Sequence, residues 1–327
     1  MRRRTVLGGL LASSLAACGK PASKDNGGLT KVRFVTDWKA QAEHGGFYQA
    51  LASGEYRKRG LDVQIIPGGP GSNVPQLLAS GAADLGMGSD NFIVLNLAQQ
   101  KVPLKAVAAF FQKNPQVLIA HPDVKSIADL KGHPILLSNA ARDTFWKWLQ
   151  AKYHFTDDQV RTYNFNSGPF LSDPRAAQEG YLTSEPFTIE KAAHFKPSVF
   201  LLADDGYPSY ATMVLARDEW ISGKPAVIKA FVEASAAGWK AYLDGDPKAA
   251  NAMILKDNPE MTQELIDQAR AKLKSYGIID GGDAKTLGIG AMTDARWAEF
   301  FKAASEEGLY PKDLDYKRAY TLQFLKR

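Results

Sequence analysis

The chain has 327 residues, 45% hydrophobic and 23% charged, with a formal net charge of +5 and a single cysteine. That length accommodates two domains and a sizeable core. One cysteine excludes an internal disulfide and a thiolate metal site, and no Lys/Arg run forms the basic footprint of a nucleic-acid-binding protein.

Residues 1–17 read as an export signal. Arg2, Arg3 and Arg4 precede an apolar stretch from Val6 to Ala17, too short for a permanent membrane span. Leu15-Ala16-Ala17-Cys18-Gly19 fits a lipoprotein cleavage site, which would make Cys18 the lipid attachment point. Arg3-Arg4-Thr5-Val6-Leu7 also resembles a twin-arginine signal, and an ordinary signal peptide with a chance cysteine is the plainer alternative. Loss of residues 1–17 removes three arginines and lowers the net charge from +5 to +2. Residues 18–30, small, polar and Gly-rich, have the composition of a flexible tether.

From Val32 to Pro67 the pattern is strand, polar loop, amphipathic helix, Gly turn, strand. Val32, Phe34 and Val35 form one apolar run and Leu61–Ile66 another. Phe47, Leu51 and Tyr56 recur at near-helical spacing between them, and Gly60 ends the helix. This is a βαβ unit with parallel strands. Ligands of open parallel sheets sit beyond the carboxyl ends of the strands, and Asp37, Trp38 and His44 occupy that place. An acid, an indole and an imidazole together can stack on a flat ring and hydrogen-bond its edge.

Gly68–Asn73 is either a turn with a helix cap or a ligand contact. It lacks the Gly-Lys-Ser/Thr ending of a phosphate-binding loop. Asp84–Gly88 reads as a buried strand. Ser89 and Asp90 follow it, as helix N-caps or as ligand contacts placed like Asp37 and Trp38. Leu104–Gln112 and Gln116–His121 are apolar runs separated by Lys113-Asn114-Pro115, a hinge candidate. Ser126–Asp129 resembles a capping-box helix start. Pro134–Ser138 reads as a strand, and Asn139–Asp143 opens the helix carrying Trp146 and Trp148, of which one is expected in the core. Arg142 either clamps an anionic group or pairs with Asp143.

Tyr163–Asn166 and Tyr181–Ser184 are expected as strands, the second ending at Glu185-Pro186 with proline in the first helical turn. Glu185 either faces the cleft or serves helix-terminus electrostatics. Further strands are expected at Val199–Ala203 and Thr212–Arg217, around a turn at Gly206–Tyr210, with mostly helix from Pro225 onward.

Candidate catalysis is thin. His44, His121, His133, His154 and His194 show no metal-ligand spacing, and the last four are expected to be structural. There is no G-x-S-x-G element. Asp157-Asp158 and Asp204-Asp205 look solvated.

The pattern D-W-x5-H-x-G-x-Y-x-A-x3-G-x-Y-x3-G-L-D-V resembles the thiamine pyrimidine synthase-like branch of the periplasmic solute-binding proteins, within the superfamily that also binds sulfonates, nitrate, taurine or riboflavin. The likeness continues through Ser126–Gly132, Ser184-Glu185-Pro186 and Gly206-Tyr207-Pro208, covering about residues 31–217. It implies an α/β fold of the two-lobe periplasmic binding protein type (type II), each lobe a mixed, mostly parallel sheet flanked by helices. Residues 31–113 and 212–327 would form one lobe and residues 114–211 the other.

Fungal enzymes of this fold make the thiamine pyrimidine, holding pyridoxal phosphate on a lysine and consuming a histidine. Gly88 and Phe92 stand at those two positions here, and neither can do that chemistry. The resemblance therefore implies a monomeric, non-enzymatic lipoprotein outside the cytoplasmic membrane, without metal or cofactor. Its partners would be the permease and ATPase subunits of an ABC importer.

The expected ligand is a small heterocycle, a thiamine pyrimidine precursor or a riboflavin-like molecule; the alternative is a sulfonate, nitrate or taurine-type anion. Asp37, Trp38, His44, Ser89, Asp90, Arg142, Tyr181, Glu185, Tyr207 and Tyr210 are the candidate contacts.

Overall fold

The computed structural model describes residues 28–325; the signal, Cys18 and most of the expected tether lie outside them. The first sheet takes β1 (Thr30–Val35), β2 (Leu61–Ile66), β3 (Leu85–Asp90), β4 (Leu104–Phe111) and a returning strand, β10 (Ala211–Arg217). Their order is β2-β1-β3-β10-β4. β1 pairs in parallel with β2 and β3, and β10 runs antiparallel between β3 and β4. The second sheet is built from β5 (Gln116–Ala120), β6 (Ile135–Leu137), β7 (Val160–Thr162), β8 (Ala177–Tyr181) and β9 (Ser198–Leu201), in the order β7-β6-β8-β5-β9. The chain crosses from the first sheet to the second between Phe111 and Gln116 and returns between Leu201 and Ala211. Two lobes result, with a cleft between them.

In the first lobe α1 (Gly45–Ala52), α2 (Glu55–Lys58), α3 (Val74–Ala79) and α4 (Asn91–Gln99) follow the strands. The second lobe carries α5 (Asn139–Arg142), α6 (Phe145–Tyr153), α7 (Gly168–Ser172) and α8 (Glu185–Ala193). After β10 come α9 (Asp218–Gly223), α10 (Pro225–Asp244), α11 (Lys248–Asp257), α12 (Gln263–Ser275), α13 (Ala284–Leu287) and α14 (Asp294–Glu306). Among the described residues no helix is long and apolar enough to cross a membrane.

The βαβ unit forms because its apolar positions share one side. Phe47 of α1 packs its ring 4.7 Å from Phe34 and 5.2 Å from Phe110, and against Phe231 and Trp239 of α10. These rings are fully buried, and each aromatic side chain removes a large apolar area from water.

Several sequence expectations shift. Residues 163–166 form no strand; β7 lies just before them, and Phe165 takes φ +57°, which breaks extended pairing. The strand expected at Tyr181–Ser184 is β8, which ends at Tyr181. The single helix expected after Ser138 is two, broken at Thr144 (φ −125°, ψ −108°). Ser126–Asp129 has its capping box but starts only a short 3₁₀ turn. Trp146 and Trp148 are both buried. Asp157, though exposed, accepts the Trp146 indole N–H at 2.9 Å.

Candidate functional site

The two lobes enclose a cavity of about 430 Å³, within the range of small-molecule sites. Three strand ends of the first lobe reach it. Asp37 and Trp38 follow β1, Ser89 and Asp90 end β3, and Thr212 lies in β10. The second lobe contributes Ser138 to Ala141 at the start of α5, Tyr163 and Phe165 after β7, and Glu179, Tyr181 and Glu185 around the end of β8.

Five carboxylates converge here: Asp37, Glu43, Asp90, Glu179 and Glu185. None of the described residues lining the cleft is Lys or Arg. Burial pushes the Asp90 carboxyl up to about 6, against bonds from the backbone at the start of α4 and from Tyr207. Burial also pushes Glu179 up to about 7, against bonds from Ser138, and raises Glu43 and Glu185. The Tyr181 hydroxyl is held well above its ordinary range by burial and by the charges of Asp37, Asp90, Glu43 and Glu185. These four groups act on one point in the cleft, and no Lys or Arg among the described lining residues offsets them.

The partners of each group show what it has left to offer. Asp90 caps α4 by accepting the Ile93 N–H at 3.2 Å and also accepts the Tyr207 hydroxyl at 3.4 Å. It is therefore both an N-cap and a cleft wall. Glu185 accepts the Tyr181 N–H at 2.8 Å, which ties the start of α8 to the end of β8.

Asp37 Oδ1, both ring nitrogens of His44 and Glu179 Oε2 are buried without a hydrogen-bond partner among the described residues. His44 Nε2 lies 3.8 Å from Asp37 Oδ1, beyond hydrogen-bond length. Buried polar atoms of this kind are costly unless something pairs with them. Asp37 Oδ1 belongs to the first lobe and Glu179 Oε2 to the second, so both walls of the cleft carry an unpaired acceptor.

Aromatic rings edge the same space. Trp38 and Phe165, one from each lobe, have ring centroids 4.6 Å apart, and Tyr163 stands 5.3 Å from Phe165.

Asp37, Trp38, His44, Ser89, Asp90, Tyr181 and Glu185 all line the cleft. Arg142 does not. It ends the short helix α5 exposed to solvent, and its charge acts on the surface carboxylate of Asp157, so its expected role as a clamp is corrected. Tyr207 and Tyr210 are also corrected, because both are core. Tyr207 stacks on Phe92 and supports Asp90 from behind. Tyr210 donates to Asp283, accepts the Thr293 N–H and lies under the Arg296 guanidinium.

Gly69, Pro70 and Ser72 of the glycine-rich loop reach the cleft rim. Gly68 sits so close to the Thr36 carbonyl that a Cβ would come within 2.3 Å of it, which is a packing reason for glycine there.

Sequence reasoning missed Glu43, Glu179, Tyr163 and Phe165. Glu43 adjoins His44 in the loop already singled out. The strand register taken at Tyr181–Ser184 left Glu179 out of the sheet. The strand assigned to Tyr163–Asn166 disguised two cleft aromatics as a sheet face.

Gly88 lines the cleft and Phe92 is buried against Tyr207, Phe300 and Tyr310. Neither position offers a nucleophile. Among the described residues no group of three or more His, Cys, Asp or Glu could hold a metal ion.

The comparisons agree with this architecture. The chain is 26% identical over 262 residues to the formylaminopyrimidine-binding protein of Halalkalibacterium halodurans, covering 78% of each chain. The structure of the periplasmic aliphatic sulphonate binding protein SsuA from Escherichia coli matches with a TM-score of 0.65 at 16% identity, over 91% of this chain and 94% of that one. The desulfurization enzyme DSZB matches with a TM-score of 0.55 at 13% identity, over 90% and 97%. At such identities the two structures share the fold alone, and the fold accommodates both binding and catalysis. The family description NMT1/THI5 like matches residues 41–250, more than half of the chain. On that match, over a segment holding most of the cleft residues, the chain belongs to the NMT1/THI5 like family.

Proposed function

We propose that this protein is the extracytoplasmic solute-binding component of an ABC importer, taking a small aminopyrimidine-type heterocycle into the inter-lobe cleft. The observation that carries this reading is the cleft lining: five carboxylates, unpaired acceptors on both walls, aromatic edges and no Lys or Arg among the described lining residues. An aminopyrimidine offers N–H donors to those acceptors and a flat face to the rings. The name of the Halalkalibacterium halodurans relative points to the same ligand chemistry.

A sulfonate or nitrate fits this lining poorly. A unit anion about 4 Å from one ionised carboxylate is opposed by about 4 kcal/mol at an effective dielectric constant of about 20, and no facing cation offsets it. Pyrimidine synthesis is also disfavoured, since Gly88 and Phe92 hold the positions of the reactive lysine and histidine.

In this reading residues 31–113 and 212–327 move as one lobe against residues 114–211. Ligand contacts made by both lobes favour the closed state, which the importer's permease and ATPase subunits would recognise. Cys18 would anchor the chain to the membrane by lipid. Cys18→Ser is then expected to move the protein from the membrane fraction to the soluble extracytoplasmic fraction with ligand affinity unchanged; retention in the membrane fraction would refute the anchor. The ligand itself is tested by mass spectrometry of small molecules released when the purified protein is denatured. An aminopyrimidine mass is the expected result, and a sulfonate would overturn the assignment.

A further inference from the structure

Thr183 lies between two cleft-lining residues of the second lobe, Tyr181 and Glu185, yet does not line the cleft itself. It is 1% exposed. Its hydroxyl donates to the carboxylate of Glu43, on the 3₁₀ turn Ala42–His44 of the first lobe, and its carbonyl accepts the Gln268 side-chain amide from α12. Thr183 therefore bonds to two separate segments of the opposite lobe. Glu43 lines the cleft beside His44, and Thr183 stands one or two residues from the lining residues Ser184, Tyr181 and Glu185.

We propose that the Glu43–Thr183–Gln268 junction is a latch, and that Thr183 is a positioning residue that sets how long the cleft stays shut over its ligand. The proposal rests on the two-lobe closure reading above.

In the closed form Glu43 is 3% exposed and has lost its hydration. The Thr183 hydroxyl replaces part of that hydration with a hydrogen bond to the Glu43 carboxyl group. When the lobes separate, water solvates both groups and the bond is no longer needed. Its contribution therefore belongs to the closed state alone. Removing the hydroxyl leaves a buried acceptor short of a partner, which penalises closure specifically.

The neighbouring inter-lobe pair, Lys191–Glu264 at 2.6 Å, is more than half exposed on both sides and contributes little by comparison. Every atom of the latch belongs to the protein. Thr183 itself does not line the cleft, so it can hold the lobes through Glu43 without touching the ligand, while His44, Glu179 and Glu185 face the cleft.

The test uses the full chain, with a formylaminopyrimidine as probe, and two readouts. Stopped-flow kinetics give association and dissociation rates, and small-angle scattering gives lobe separation of the ligand-free protein. Thr183→Val keeps the shape and deletes the hydroxyl; Thr183→Ser keeps the hydroxyl. The expected result for Thr183→Val is a dissociation rate raised about tenfold or more, a larger ligand-free radius of gyration and an association rate no lower than wild type, since a larger open population admits ligand at least as readily. Thr183→Ser is expected to match wild type in all three.

A Thr183→Val protein with wild-type dissociation and wild-type dimensions would overturn the latch. Should Thr183→Val fail to fold, Thr183→Ala makes the same deletion without added bulk. If wild type does not bind the probe, the ligand assignment fails. Scattering then decides the latch by itself: expansion of the valine variant upholds it, and unchanged dimensions reject it.

Discussion

At Trp38 the indole meets Phe165 across the cleft with ring centroids 4.6 Å apart, so a ligand ring would enter beside an aromatic pair that both lobes supply. Replacing the indole removes a stacking surface worth about 1–3 kcal/mol by analogy with base–aromatic stacking. Trp38→Ala is therefore expected to weaken ligand binding by roughly 10- to 100-fold, with Trp38→Phe recovering much of the loss. Calorimetry on the folded variants measures it, and wild-type affinity in Trp38→Ala would remove the indole from the site.

Glu179 acts through its protonation. Burial raises its carboxyl to about 7 in the folded chain, against about 4.3 when unfolded. The folded state therefore holds a proton that the unfolded state releases. Stability from this group is fully present below about pH 4.3 and is lost as pH rises through about 7. Glu179→Gln is expected to stabilise the ligand-free protein by about 1–3 kcal/mol at pH 8 and to flatten its stability between pH 5 and 8. Denaturant melts across that range check both, and an unchanged pH profile would contradict the burial argument.

Much of this scale was legible in the sequence. Asp37 and Trp38 follow the end of β1, His44 closes the loop after them, and Ser89 and Asp90 end β3, and strand ends can be read from apolar runs. Arg142, Tyr207 and Tyr210 misled because residue type was read without direction. A charge at the end of a four-residue helix can face water, and tyrosines in a turn can point into the core.

Among the elements, α1 packs closely on α10 and so supports the site, because Glu43 and His44 lead directly into α1. A Cβ at Gly238 of α10 would lie 2.2 Å from the Gly46 carbonyl oxygen and 2.6 Å from the Ala50 Cβ. Glycine inside a helix normally costs about 1 kcal/mol relative to alanine, so Gly→Ala at an open helix position stabilises. Here the sign is expected to reverse. Gly238→Ala should destabilise by about 1–3 kcal/mol, since backbone on one helix must retreat from backbone on the other. Urea unfolding measures it, and a gain in stability would show that the helices do not approach so closely.

The β1–α1–β2 unit was legible because its strands and helix each keep their own apolar period. The segment from Tyr163 to Asn166 was not. Tyr163 and Phe165 alternate with asparagines as a strand's faces do, yet Phe165 adopts φ +57° and both rings serve the cleft. Alternation shows that two side chains share a side and leaves open whether that side is a sheet or a binding wall. The late placement of the β8 register had the same origin, since Glu179 is a charged residue in a buried strand, which apolar patterning cannot signal.

For the whole molecule, two mixed sheets joined by two crossings create a cleft whose walls belong to different lobes. The first crossing was legible at Lys113-Asn114-Pro115, where polar residues interrupt two apolar runs. Lys113 there pairs with Asp204 of the return segment at 2.9 Å, so the two crossings lie side by side. The ligand chemistry was less legible, because the acidity of the cleft is assembled from five carboxylates that are scattered along the chain between residues 37 and 185.

Calorimetry of the purified chain against a formylaminopyrimidine and an alkylsulfonate, with Asp37→Asn alongside wild type, tests whether that acidity selects the ligand. Wild type is expected to bind the aminopyrimidine and not the sulfonate, and Asp37→Asn to weaken aminopyrimidine binding at least tenfold. Binding of the sulfonate by wild type, unimpaired or improved in Asp37→Asn, together with no uptake of the aminopyrimidine, would contradict that selection.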